Sequence, residues 1–176
     1  METKINSKKI KKIKSRCGFN QELYVEPRGL SGGLSLWWLD SIGLTILYKS
    51  KNIIHALVES GGLNAPEIIS FVYGPPKEGE RRIVWDTLRK LAVNVKETWL
   101  AVGDFNDLLS QTEKEGSNPQ SIRKILNFQS LLSDCNLMDL DFKGSKFTWC
   151  NKRLEGIVRE RIDRALGNVK FRDTFE

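Results

Sequence analysis

From Leu23 to Tyr73 the sequence sets five short apolar runs one after another with no room for a helix between them. This restricts the fold more than any other feature. The runs are Leu23-Tyr24-Val25, Leu34–Leu39, Leu44–Tyr48, Ile53–Val58 and Ile68–Tyr73, split by Gly, Asn, Asp and Pro. Short runs rich in β-branched and aromatic residues read as strands. Neighbours are expected to pair antiparallel, because a parallel pair needs a long crossover. At Glu78 the period changes. Val84, Leu88, Leu91 and Val95 step by four, three and four, which predicts an amphipathic helix over 78–95. The apolar run Trp99-Leu100-Ala101-Val102 reads as a buried strand. A polar loop with Gly116 and Pro119 leads to a second helix carrying Ile125, Phe128, Leu132 and Cys135. The end reads as a short strand at Phe147-Thr148-Trp149 and a longer one around Val158–Leu166. The order is helix, strand meander, helix, strand, helix, strands. That is an α+β protein with helices over the outer faces of sheets, in one domain spanning 1–176.

Several classes are excluded by composition. No run approaches the 18 apolar residues of a membrane helix. The first residues lead into lysines without an apolar stretch, so no secretory signal is expected. Cys17, Cys135 and Cys150 are odd in number and far apart, which points to the nucleus or cytoplasm rather than secretion. A single histidine, His55, and no Cys-x-x-Cys pair argue against structural zinc. Residues 1–16 hold seven basic side chains against Glu2 alone and so carry the whole net charge of +6. Such a tract suits nucleic-acid phosphates or a nuclear address. The alternative is a solvated helix face, because Ile10, Ile13 and Cys17 recur at helical spacing.

The stretch with most chemistry is Gly103-Asp104-Phe105-Asn106, directly after the strand at 99–102. If the chain stays extended, Asp104 and Asn106 project to one side. A carboxylate can take a proton from water, and a carboxamide can hold an anionic oxygen. Asp and Asn are also turn residues, so the string alone reads first as a turn. Near the end, a strand through Arg159, Arg161 and Asp163 would put these three on one face, with Ile162 and Leu166 behind.

Seven strings occur in order along the chain: Met1-Glu2-Thr3-Lys4, Gly29–Leu34, Phe71-Val72-Tyr73-Gly74-Pro75-Pro76, Gly103-Asp104-Phe105-Asn106, Leu137-Met138-Asp139-Leu140, Phe147-Thr148-Trp149-Cys150-Asn151 and Arg159–Arg164. Together they resemble the endonuclease/exonuclease/phosphatase superfamily. Within it, they look most like the endonuclease domain of plant LINE-type (non-LTR) retrotransposons. The resemblance implies a DNase I-like, four-layered α/β/β/α sandwich and a metal-dependent phosphodiesterase acting on DNA. Phosphodiester hydrolysis needs an activated water and counter-charge for the transition state. By the resemblance, Glu2 ligates Mg2+ or Mn2+, Asp104 activates the water, and Asn106 holds the phosphate or nucleophile. Tyr73 hydrogen-bonds the phosphate region, Asp163 orients a histidine, and Thr148 and Arg161 line the substrate cleft. The implied protein is a DNA-binding monomer without a membrane and without a small-molecule cofactor beyond the metal.

The family pattern also has an upstream strand ending in asparagine and a downstream Ser-Asp-His strand, and neither is in the sequence. The expectation is therefore a fold incomplete at its N- and C-terminal strands with impaired nuclease activity. A non-catalytic nucleic-acid-binding remnant using the basic helix is the competing expectation. His55, inside an apolar run, reads as a satisfied strand residue and not as the missing histidine.

Overall fold

The computed structural model describes residues 7–27, 33–60, 66–116, 118–153 and 156–175. Glu2 and residues 28–32 lie outside the described residues.

Helix α1 (Ser7–Arg16) buries Ile10, as the spacing predicts, while Cys17 just beyond it is exposed. Strands β1 (Gln21–Val25) and β2 (Leu34–Trp38) pair antiparallel with each other. Next come β3 (Ile42–Lys49), β4 (Ile53–Ser60) and β5 (Glu67–Tyr73), a true antiparallel meander. Helix α2 (Glu78–Ala92) then crosses over to β6 (Thr98–Asp104), which runs parallel to β5. After a short turn of 3-10 helix at Gln111–Glu113 come β7 (Lys114–Glu115), α3 (Ile122–Asp134) and β8 (Met138–Asp139). Strands β9 (Trp149–Arg153), β10 (Gly156–Glu160) and β11 (Asp163–Gly167) and helix α4 (Val169–Phe175) complete the described chain.

The main sheet has the order β3-β4-β5-β6-β11-β8, and a smaller one has the order β7-β10-β9. Two expectations change here. The second and third apolar runs do not pair. The chain turns between them, where the Ile42 amide donates to the Leu39 carbonyl at 2.9 Å, and β2 stays with β1. The single strand expected around 158–166 is two strands in different sheets. It breaks at Arg161-Ile162, where the Arg161 amide donates to the Glu113 carbonyl.

Each face of the main sheet has its own core. Ile68, Val72, Trp99, Ala101 and Leu166 pack against α2 and α3 through Val84, Trp85, Leu88, Phe128 and Leu131. Trp85, Phe105 and Phe128 meet with ring centroids 5.6–5.9 Å apart. On the opposite face Ile54 and Tyr73 cluster with Leu34, joined by Leu23, Val25 and Leu36 from β1 and β2. Alternation along β5 and β6 dictates this division, because successive side chains leave opposite faces. Helices therefore cover one face and a second layer of strands the other.

Candidate active site

The strand ends bring three of the expected residues into one row. Tyr73 is the register partner of Asp104 across the parallel β5–β6 pair. Asp104 is in turn the register partner of Asp163 across the antiparallel β6–β11 pair. Register partners share a face, so all three lie on the side of the sheet away from α2 and α3. Asn106 joins them, though not as an extended strand would have it. The strand ends at Asp104, and Asn106 takes a left-handed conformation with φ 51°. Its amide donates to Asp104 Oδ1 at 2.9 Å, and its Nδ2 donates to Asp104 Oδ2 at 2.8 Å and to the Gly74 carbonyl at 2.8 Å. The turn reading of this string is thus correct, and the turn itself delivers the carboxamide to the carboxylate.

Close approach of the strand ends depends on glycine. A Cβ on Gly103, at φ +145°, would sit 2.0 Å from the Val72 carbonyl oxygen, and one on Gly74 would sit 2.3 Å from that of Phe105. Neither position admits another side chain without backbone movement. The Gly74 amide donates to the Asp104 carbonyl at 2.6 Å, and the Phe105 amide to the Ile162 carbonyl at 2.8 Å. On the far side of β5, buried Asn52 accepts from the Tyr73 amide through its backbone oxygen. Its Nδ2 donates to the Tyr73 carbonyl, each at 2.8 Å.

Thr148 lies beside this row. Its Oγ1 accepts from the Ile162 and Asp163 amides, both at 3.1 Å, and so fixes the start of β11. Arg161 does not line the cleft. Its side chain is buried and donates to Glu113 at 3.0 Å and to both oxygens of Asp139 at 2.7 and 2.9 Å. Arg164 joins the same cluster, bonded to Glu113 and Asp139 and stacked 5.5 Å from the Phe128 ring centroid. Arg159, expected on the same face as Arg161 and Asp163, belongs instead to β10 and is exposed beside Glu115. The break at Arg161 is the reason: period-two alternation does not run through it. Burial alone would raise the Glu113 and Asp139 carboxyls, but hydrogen bonds and charge from Arg164 and Arg161 outweigh it and hold both below their ordinary values.

His55 is buried on the helix-facing side of β4, where its Nδ1 lies 2.7 Å from Ser70 Oγ. It faces away from Asp163, so it is a satisfied strand residue, as its sequence context implies. Arg81, Asp107, Asn52, Glu113 and Arg164 were not among the candidates. Two of them carried a signal. Arg81 is in step with Val84 and Leu88 on the apolar face of α2, and Arg164 alternates with Ile162 and Leu166 on the apolar face of its strand. A charge on a buried face needs a partner.

Among the described residues no group of three His, Cys, Asp or Glu side chains gathers to hold a metal ion. Asp104, Asp163 and Asn106 do offer oxygen donors, which suit a hard cation that keeps several waters. A groove of about 680 Å³ between α2 and α3 lies on the helical side of the sheet, away from the acidic row. Among the described residues no helix is long and apolar enough to cross a membrane.

This architecture is the DNase I-like fold. The chain is similar to the endonuclease domain of TRAS1, a telomere-specific non-LTR retrotransposon, with TM-score 0.68 and 12% identity over 87% of this chain and 68% of that one. It is similar to TDP2 of D. rerio complexed with single-strand DNA product, with TM-score 0.58 and 13% identity over 94% and 68%. The catalytic domain of human Nocturnin gives TM-score 0.55 and 17% identity over 91% and 64%. The chain thus spans about two thirds of the length of each. No family model and no curated protein matches it in sequence.

Proposed function

We propose that this chain is a divalent-metal-dependent phosphodiesterase that nicks DNA, of the kind encoded by plant LINE-type retrotransposons. The observation that carries the reading is the row Tyr73, Asp104, Asp163 across three adjacent strands, with Asn106 bonded to Asp104. In it Asp104 takes the proton of the attacking water. Asn106 orients that carboxylate through its backbone amide and its Nδ2. Tyr73 hydrogen-bonds the phosphate region, and Thr148 keeps Asp163 at the end of the row. Glu2, together with Asp104 and Asp163, would hold Mg2+ or Mn2+, and the ion when bound would supply positive charge to the oxygens that become anionic. DNA as substrate is supported by the fold shared with a retrotransposon endonuclease domain and with a TDP2 bound to DNA product.

A second reading has its own observation. His55 lies on the face of the sheet opposite Asp163 and does not partner it. Lys12 and Arg16 are exposed on α1. On that reading the chain binds nucleic acid without hydrolysing it. Nicking of supercoiled plasmid in Mg2+ separates the two. The first reading expects relaxed circles and a loss of about 10³-fold or more in Asp104→Ala. Plasmid that stays supercoiled, with salt-dependent binding weakened by Lys12→Ala and Arg16→Ala, gives the second.

A further inference from the structure

The loops that follow β5 and β6 have left their ladders, yet they must hold Tyr73, Asp104 and Asn106 in one arrangement. One side chain reaches both loops. Arg81, only 4% exposed, rises from the first turns of α2. Its Nη1 donates to the Pro75 carbonyl at 2.7 Å and the Pro76 carbonyl at 2.8 Å. Its Nε donates to Asp107 Oδ2 at 2.9 Å. Pro75 and Pro76 immediately follow the Gly74 that bonds Asp104 and Asn106, and Asp107 immediately follows Asn106. The two loops are thus joined directly through Gly74 and again through Arg81.

We propose that Arg81 is a positioning residue that fixes the strand end carrying Tyr73 against the loop carrying Asp104 and Asn106. The role requires arginine. Its planar fork donates to two loops in set directions, whereas a lysine ammonium is a single point on a flexible stem. The inference rests on the phosphodiesterase reading for its effect on rate, and on the geometry alone for its effect on the loops.

The test measures plasmid nicking, thermal unfolding and amide hydrogen exchange for Arg81→Lys and for Asp107→Asn. The second variant keeps the guanidinium on the proline carbonyls, so a folded protein is available even if the first is weakened. Expected is a fall in kcat of about tenfold or more with KM within about twofold, as misplaced reacting groups give. Exchange at the Gly74 and Asn106 amides should rise by a similar factor while Ala56, in the middle of β4, is unchanged. Unchanged kcat with unchanged exchange at both loops overturns the proposal. So does exchange that rises equally at Ala56, which means that Arg81 only stabilises the protein. If the parent protein does not nick DNA, the phosphodiesterase reading fails, and exchange at Gly74 and Asn106 still decides whether Arg81 holds the loops.

Discussion

Asp104 and Asp163 stand opposite each other on adjacent antiparallel strands, the one ending β6 and the other starting β11. Like charges in such a pair repel. The arrangement persists because the surrounding backbone fixes both ends: Asn106 and Gly74 hold Asp104, and Thr148 holds the Asp163 amide. A cation between them would relieve the repulsion. Titration with Mg2+ or Mn2+ should therefore raise Tm, by the equivalent of about 2.7 kcal/mol at a hundredfold excess over Kd. Asp163→Asn should be more stable than the parent without metal and should gain less from it. Equal metal-induced shifts in parent and variant would remove the pair from the metal site.

Gly103 offers a test of the close strand approach itself. A side chain there meets both a positive φ and the Val72 carbonyl. Gly103→Ala should lose more than about 2 kcal/mol in a denaturant titration, because strain and overpacking add. A variant as stable as the parent would mean that β5 and β6 do not approach as described.

Much of this arrangement was legible in the sequence, and the reasons differ by residue. The helix expected over 78–95 has a clean period and formed over Glu78–Ala92, and the apolar run at 99–102 lies within β6. Tyr73 and Asp104 each close an apolar run, so their place at strand ends followed from the pattern. The break between β10 and β11 was not legible. Arg161 is charged in an alternating stretch and so reads as solvent-facing. Its burial depends on Glu113 and Asp139, 48 and 22 residues away. The parallel β5–β6 pair explains why distant carboxylates meet, but register across a crossover is set by packing of α2 and not by local sequence. The separation of β2 from β3 likewise comes from two apolar faces needing different partners.

The Arg161 cluster gives a direct comparison of a structural and a binding role. Removing one partner from a buried ion cluster costs about 3–5 kcal/mol because the remaining charges lose their compensation. Arg161→Ala should therefore lower Tm sharply while leaving the salt dependence of DNA binding unchanged. A DNA-contacting arginine would do the reverse, reducing the salt slope by about one with little change in Tm. The cluster also has an acid limit. Glu113 and Asp139 are held below their ordinary values of 4.5 and 3.8, so their stabilisation is complete above those values and is lost as pH falls through the folded-state values.

His55 should govern a separate, higher window. Burial lowers its pKa from 6.5, so the unfolded chain takes up a proton near that pH while the folded protein does not. Stability is then full above about 6.5 and falls as pH drops from there toward the lowered folded-state value, by at most about 1.4 kcal/mol per pH unit for one proton. Burial raises the Asp107 carboxyl, against the opposing charge of Arg81, and raises that of Glu67, which gives slopes of opposite sign from their ordinary values of 3.8 and 4.5 upward. A variant comparison isolates the histidine, which is the single one in the sequence. In His55→Asn a carboxamide can reach the position of Nδ1 beside Ser70 Oγ without titrating. Urea unfolding of parent and variant between pH 5 and 7 should show a slope in the parent that the variant lacks. Parallel curves would mean that His55 takes up its proton equally in both states, and that it is not buried against Ser70 and Trp99 as the structure has it.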